Sequence, residues 1–320
     1  MVTDTYSLFY NPLVQEEEEL PYLTITALED NFQIKVHGNY CIPQYSLNGT
    51  EWNELSANRI SPAINSGEKI YFKGNLEAGD NQEAYSFSTE QRFNLSGNCM
   101  SVIFGDDAQG KTDLTGYVGC FMFMFSGCAG LEKVSKNFLP ATTLSENCYD
   151  AMFDGCTSLN QAPELPATTL ADYCYGYMFS DCTSLVTAPE LPATTLVERC
   201  YYGMFINCTS LVNAPELPAT TLADDCYCRM FQDCTSLVQA PELPATRLAS
   251  SCYYQMFINC TSLNYIKMLG TDIAVENCIY NWVENVSSTG TFVMSPDATW
   301  DPENNRGRSG IPDGWNVETV

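Results

Sequence analysis

Residues 174–199 read C-Y-G-Y-M-F-S-D-C-T-S-L-V-T-A-P-E-L-P-A-T-T-L-V-E-R, and the same 26-residue pattern is written again on either side. Copies open at Cys148, Cys174, Cys200, Cys226 and Cys252, and Cys278 continues the step; the string A-P-E-L-P-A-T starts at Ala162, Ala188, Ala214 and Ala240. Similarity at a fixed period predicts units that bury their apolar faces only against their neighbours. Within residues 174–199, Cys174, Met178 and Cys182 stand four apart, with Phe179 beside Met178 and Leu185 beyond. That spacing predicts one stripe of a short two-turn helix. The tract Leu185–Pro192 then reads as extended, because its two prolines push the residues before them out of the helical region and supply no N–H donor. Leu196 is expected to drop into the core before the next copy. One unit offers about six apolar side chains at roughly 1.5–3 kcal/mol each, against about 1–2 kcal/mol per residue for ordering its backbone. A single unit is therefore not expected to fold alone.

The residues Met178-Phe179, Cys182, Leu185, Ala188 and Leu191, repeated through roughly residues 114–281, resemble the BspA-type bacterial leucine-rich repeats. The double-proline A-P-E-L-P tract departs from that family's more regular strand. The resemblance implies a curved leucine-rich-repeat-like solenoid used for attachment or recognition, without catalysis. The order Y-S-L-N-G-T-E-W, S-G-E-K-I-Y-F-K-G, F-N-L-S-G-N-C-M-S-V-I-F-G-D-D ahead of the repeats is similar to an arrangement in surface proteins of gut bacteria and their phages.

Before the repeats, Leu23–Thr26, Phe32–Val36 and Lys69–Phe72 alternate apolar and polar residues, and Asn48-Gly49 and Gly38-Asn39 are hairpin-type turns. These predict an Ig-like β-sandwich of about seven strands that buries Trp52. The fold class expected is α+β and multidomain. A leader over residues 1–20 and a β-sandwich over 21–112 come first. An irregular cap repeat over 113–147 leads into the solenoid over 148–264, and a C-terminal cap over 265–320 ends in a small β-hairpin.

Charged residues are strongly biased, 39 acidic against 14 basic, for a net charge of −25. No basic groove can be assembled to neutralise phosphates, so nucleic acid is excluded as a partner, and an anionic membrane surface with it. Residues 1–20 lack the basic start, apolar run and cleavage site of a signal peptide, and no stretch is long enough to insert into a membrane. The chain is thus expected to be made in the cytoplasm and to end on a virion or an extracellular surface, unless a signal has been trimmed. Tyr6, Leu8, Phe9, Tyr10 and Leu13, ahead of the run Glu16–Glu19, read either as a solvated leader or as a peptide that docks the chain onto an assembly.

Sixteen cysteines with one histidine do not spell zinc sites, since no C-x-x-C pair occurs; buried free thiols are the simpler reading. Glu164, Glu190, Glu216 and Glu242 recur once per copy, as a solvated edge or as ligands to a shared cation such as calcium. The tyrosines at 149, 175, 201, 227 and 253 read mostly as packing. Residues that differ between copies, Asp150, Tyr177, Tyr202, Arg229 and Tyr254, are not fixed by stacking and are the expected contacts for a ligand. No nucleophile elbow, phosphate loop or metal motif appears, and the lone His37 falls in an expected strand, so no cofactor and no enzymatic activity are expected. The function expected is binding and display, on a phage virion as a fibre or capsid-decorating protein whose repeats face a host surface glycan or protein. The alternatives are a bacterial adhesin, or a spacer that stacks with sister subunits as a homo-oligomer.

Overall fold

The computed structural model describes residues 20–38, 43–79 and 85–320. Tyr6, Leu8, Phe9, Tyr10 and Leu13, read above as a solvated leader or a docking peptide, lie outside them.

Eleven strands are present among the described residues: β1 (Leu23–Ala27), β2 (Lys35–His37), β3 (Gln44–Ser46), β4 (Asn53–Glu54), β5 (Lys69–Lys73), β6 (Ser86–Ser88), β7 (Phe93–Ser96), β8 (Leu131–Val134), β9 (Tyr265–Met268), β10 (Thr291–Met294) and β11 (Asn316–Thr319). They form three small sheets, ordered β4-β3-β5-β1-β7-β8, β11-β10-β9 and β2-β6. Strand β1 is central to the first sheet, antiparallel to β5 (Ile25 opposite Ile70) and to β7 (Ile25 opposite Leu95). Its alternating residues put Leu23, Ile25 and Ala27 in the core.

Three expectations are corrected here. The α+β leucine-rich-repeat-like solenoid is not what forms: the one α-helix among the described residues is the four-residue Ser101–Phe104, outside the repeats, and the C-Y-x-x-M-F-x-x-C stretch is a run of turns. The self-contained Ig-like sandwich is replaced by the sheets above, of which the largest draws β8 from beyond residue 112 as a parallel partner of β7. Trp52 is only half-buried, edge-on to Tyr22 at 4.7 Å with the Lys73 ammonium 4.3 Å above its ring. The C-terminal hairpin is absent too, because β10 pairs in parallel with both β9 and β11.

The physical reason for the missing helices lies in the backbone. Every fourth residue of the turn stretch has positive φ: Arg199 (54°), Gly203 (60°) and Asn207 (58°) in the third copy, and the matching residues in the others. A left-handed residue breaks the i to i−4 ladder before it can propagate. Amides then alternate between two acceptors. Those of Tyr202, Met204, Ile206 and Cys208 bond three residues back, whereas those of Tyr201, Gly203, Phe205 and Asn207 reach the carbonyls of Cys226, Cys228, Met230 and Gln232 in the next copy at 2.8–3.1 Å. Each 26-residue copy is therefore a coil laid on its neighbour by its own backbone. In the proline tracts the coils are joined by isolated bridges, such as Thr187 with Asn213, Gln239 with Tyr265 and Leu243 with Met268.

The buried side chains are those the spacing indicated. Cys174, Met178, Phe179, Cys182, Leu185 and Leu191 are all inside. Tyr149, Tyr175, Tyr201, Tyr227 and Tyr253 form one column of parallel rings, with centroids 5.7–6.2 Å apart. Phe125, Phe153, Phe179, Phe205, Phe231 and Phe257 form another. Both end on Trp282, whose indole N–H donates to the Gly310 carbonyl at 2.7 Å. At the other end Phe125 stacks on Phe87 at 5.1 Å, and Phe87 meets Phe72 of β5, so one core runs from the N-terminal sheets through the coils.

Fifteen of the sixteen cysteines fall within the described residues, all buried and free. The second cysteine of each copy donates its thiol to a phenylalanine carbonyl of the preceding coil, as Cys208 to Phe179 at 3.1 Å and Cys234 to Phe205 at 3.1 Å. Burial pushes the cysteine thiols up, to about 12 at Cys200, which opens the third copy, and well above the usual range at Cys234. They are packing groups, not thiolate nucleophiles.

Candidate recognition face

The five expected contact residues come from five consecutive coils, and the structure sets them in one row. Amide bonds run from Ala151 to the Gly176 carbonyl, Tyr177 to Tyr202, Gly203 to Cys228, Arg229 to Tyr254 and Gln255 to Tyr280, at 2.8–2.9 Å. Asp150, Tyr177, Tyr202, Arg229 and Tyr254 thus follow one another along the stack, and all five are half-buried. The row ends on exposed aromatics, Phe123 (42%) before Asp150 and Tyr280 (41%) after Tyr254.

Two adjacent positions per coil supply this row, and they trade bulk. The pairs are Gly176-Tyr177, Tyr202-Gly203, Cys228-Arg229 and Tyr254-Gln255. A Cβ on Gly203 would lie 2.9 Å from the Tyr177 ring, and one on Gly176 would lie 2.6 Å from Asp150 Oδ1. Glycine in one coil makes room for the large side chain of the coil before it. The Tyr177 and Tyr202 rings consequently meet edge-on at 5.3 Å, and Tyr254 stacks on Tyr280 at 5.3 Å.

Sequence reasoning missed a flanking set at the position before each first cysteine. Tyr173 lies 6.0 Å from the Tyr202 ring, the Arg199 guanidinium sits 5.4 Å from the Tyr173 ring, and Arg199 pairs with Asp225 at 3.0 Å. These positions also differ from copy to copy, the same signal that marked the first five. Together they give a strip of aromatic faces with guanidinium groups, able to stack on a sugar or a planar side chain and to donate hydrogen bonds. Arg229 Nε and Asp150 Oδ1 are buried without a hydrogen-bond partner, so each retains unused polar capacity.

Burial, with the Asp154 carboxylate next in effect, raises the Asp150 carboxyl to about 7 from 3.8. A folded value above the unfolded one means stability that is present at low pH and lost as pH rises, here between about pH 4 and pH 7. Asp150→Asn is expected to stabilise the protein by about 1–2 kcal/mol at pH 8, after discounting for partial exposure, with the gain shrinking toward zero by pH 4. Paired urea melts of the two proteins across that range check this; a gain independent of pH would refute the assignment.

Another edge of the coils carries the proline tracts. There Glu164, Glu190, Glu216 and Glu242 are exposed while the adjacent leucines are buried. Glu164 meets Lys136 at 3.6 Å and Glu242 meets Lys267 at 3.0 Å. Among the described residues no cluster of three or more His, Cys, Asp or Glu is placed to hold a metal ion. His37 lies in β2, exposed, with Nε2 2.8 Å from Ser88 Oγ. No helix among the described residues is long and apolar enough to cross a membrane.

No family model, curated protein or solved structure matches the chain.

Proposed function

We propose that the chain is a non-catalytic binding and display protein that meets a host surface glycan or protein through the aromatic row of its turn face. The supporting observation is the division of labour within each copy. Residues that stack are repeated almost unchanged, and the variable third and fourth residues of successive copies form a single row with exposed aromatics at its ends. The setting proposed is a phage virion, as a fibre or capsid-decorating protein, or else a bacterial cell surface. It rests on the resemblance of the repeat and on the acidic charge that suits an exposed, soluble surface.

The test uses the full chain, fluorescently labelled, on an array of bacterial surface polysaccharides and on washed bacterial cells. Saturable binding that falls at least tenfold in Tyr254→Ala and Tyr280→Ala, with unchanged circular dichroism, supports the reading. Absence of binding together with self-association in sedimentation favours the spacer alternative and overturns it. Mass-spectrometric detection of the chain in purified particles and in washed outer-membrane fractions separates the two settings.

A further inference from the structure

The aromatic row contains a cation whose partner the described residues do not supply. Arg229 is half-buried, and its side chain makes no hydrogen bond and no ion pair among them. Its Nε is shut off from solvent without an acceptor, while the two terminal nitrogens stay open to solvent. A buried guanidinium N–H left unmatched is costly, and in a chain with 39 acidic residues a carboxylate would be the ordinary remedy. The two carboxylates nearest in sequence are already engaged. Asp225, four residues before, holds Arg199 at 3.0 Å. Asp233, four residues after, accepts the side-chain amides of Gln232 at 2.9 Å and Asn259 at 2.7 Å. The matching places on the coils to either side are Gly203 and Gln255, neither of them acidic. Arg247 of the same copy is unpaired as well, but it is exposed and water satisfies it.

The surroundings decide what kind of anion fits. Tyr202 on the coil before and Tyr254 on the coil after present aromatic rings, which suit the C–H face of a sugar. Burial raises the Tyr202 hydroxyl and the Cys228 thiol above their ordinary values, and the Arg229 charge acts on both in the opposite direction, so the guanidinium lies close to that tyrosine. A peptide backbone finds no open edge here. The amides of Tyr202, Gly203, Cys228, Arg229, Tyr254 and Gln255 are all bonded, either three residues back or to the next coil. The guanidinium fork matches a planar carboxylate through two parallel hydrogen bonds. Net charge sets a further limit, because a chain at −25 repels a polymer charged at every unit. Carboxylates spaced out by neutral sugars escape most of that repulsion, since remote charges are screened beyond about 8 Å at physiological salt.

Resting on the reading of the row as a glycan-binding surface, we infer that its ligand is an acidic glycan with isolated uronate residues, whose carboxylate is taken by Arg229 while Tyr202 and Tyr254 lie against the sugar faces on either side.

The test prints each bacterial polysaccharide that has a single uronate per repeating unit beside its carboxyl-reduced form, in which the carboxylate has become a primary alcohol, and beside neutral polysaccharides. The full chain is expected to prefer the native uronate polymers and to bind at least tenfold more weakly after reduction. Arg229→Gln, with circular dichroism unchanged, should lose the same factor and bind the two forms alike. Arg247→Gln removes an equal charge from the same copy and should stay within twofold of the parent. Between about 50 and 300 mM salt the affinity should fall by less than twofold, because salt relieves repulsion from the whole chain more than it screens a half-buried pair. Binding that survives carboxyl reduction yet falls in Tyr254→Ala would overturn this inference and leave the aromatic row standing as a surface for neutral sugars. Binding to no polysaccharide would overturn both. Equal binding of polyglutamate or of dextran sulfate would also overturn the inference, by reducing the contact to an acidic peptide or to any polyanion.

Discussion

Phe205→Ala is expected to lower the stability of the protein by about 3–5 kcal/mol, the range for removing a buried aromatic ring from a core that cannot close over the gap. Phe205 is fully buried in the middle of its column, with Phe179 and Phe231 stacked at 5.7 Å on either side. Its neighbours cannot collapse inward, because the coils that carry them are held apart by the amide bonds from Phe205 to Met230 and from Phe179 to Met204. The truncation therefore removes both ring faces from contact and leaves a ring-sized cavity. Denaturant unfolding followed by circular dichroism and by tryptophan fluorescence, to which Trp282 at the end of the column contributes, measures the loss. Val212→Ala, at an exposed site on the proline edge, provides the comparison and should fall within about 0.5 kcal/mol of the parent. A loss below about 1 kcal/mol for Phe205→Ala would mean that the ring columns are not what holds the coils together.

The buried set was legible in the sequence because burial depends on periodicity alone. Cys174, Met178 and Cys182 are four apart, and any backbone that returns to the same side every four residues buries them together. An α-helix does so, and so does a chain of turns with a left-handed residue at every fourth position. The spacing cannot separate the two. The residue types could have done so in part: Gly155, Asp181, Asn207, Asp233 and Asn259 occupy one of the left-handed positions in successive copies, and glycine, asparagine and aspartate are the residues that tolerate it. The signal was masked at the other two positions, where Tyr173, Tyr177, Arg199 and Arg229 take the same conformation at φ of 50–58°. Tyr177, Arg199 and Arg229 are held there by amide bonds to the next coil, a tertiary effect that local propensity does not report.

The C-terminal correction has a similar origin. The apolar runs at Tyr265–Met268 and Thr291–Met294 begin one repeat length apart, and they pair in parallel as neighbouring coils would. A polar loop rich in proline, glycine and asparagine between Thr291–Met294 and the last strand outweighed that spacing in the sequence reading. For the recognition face, variation between copies singled out Asp150, Tyr177, Tyr202, Arg229 and Tyr254 one by one, and it is the amide bonds between coils that set them in one row. Their exchange of bulk with Gly176 and Gly203 could not be read, because it requires knowing that Gly203 lies against Tyr177 of the coil before it. That pairing is set by the bond from the Tyr177 amide to the Tyr202 carbonyl.

The distinction between turns and helices has a direct energetic consequence at Gly203. In a helix interior, replacing glycine by a residue with a side chain gains stability, about 0.5–1 kcal/mol for alanine. At φ 60° the sign reverses. A β-branched residue there takes on the left-handed penalty of roughly 1–2 kcal/mol, and its Cβ would lie 2.9 Å from both Tyr177 and Ile206. Gly203→Val is expected to cost about 2 kcal/mol or more and to shift the Tyr177 and Tyr202 rings, visible as a change in near-ultraviolet circular dichroism. The equivalent residue of the first copy supplies the converse. Ala151 already has φ 49°, so Ala151→Gly relieves a left-handed alanine at the expense of some chain entropy and should raise stability by about 0.5 kcal/mol, whereas a helix would lose about 1 kcal/mol. Both signs favour glycine, whereas a right-handed helix would favour the residue with a side chain at both positions. The gain at Ala151→Gly is the outcome that a left-handed backbone gives and a helix does not, and urea melts of the two single variants would decide it.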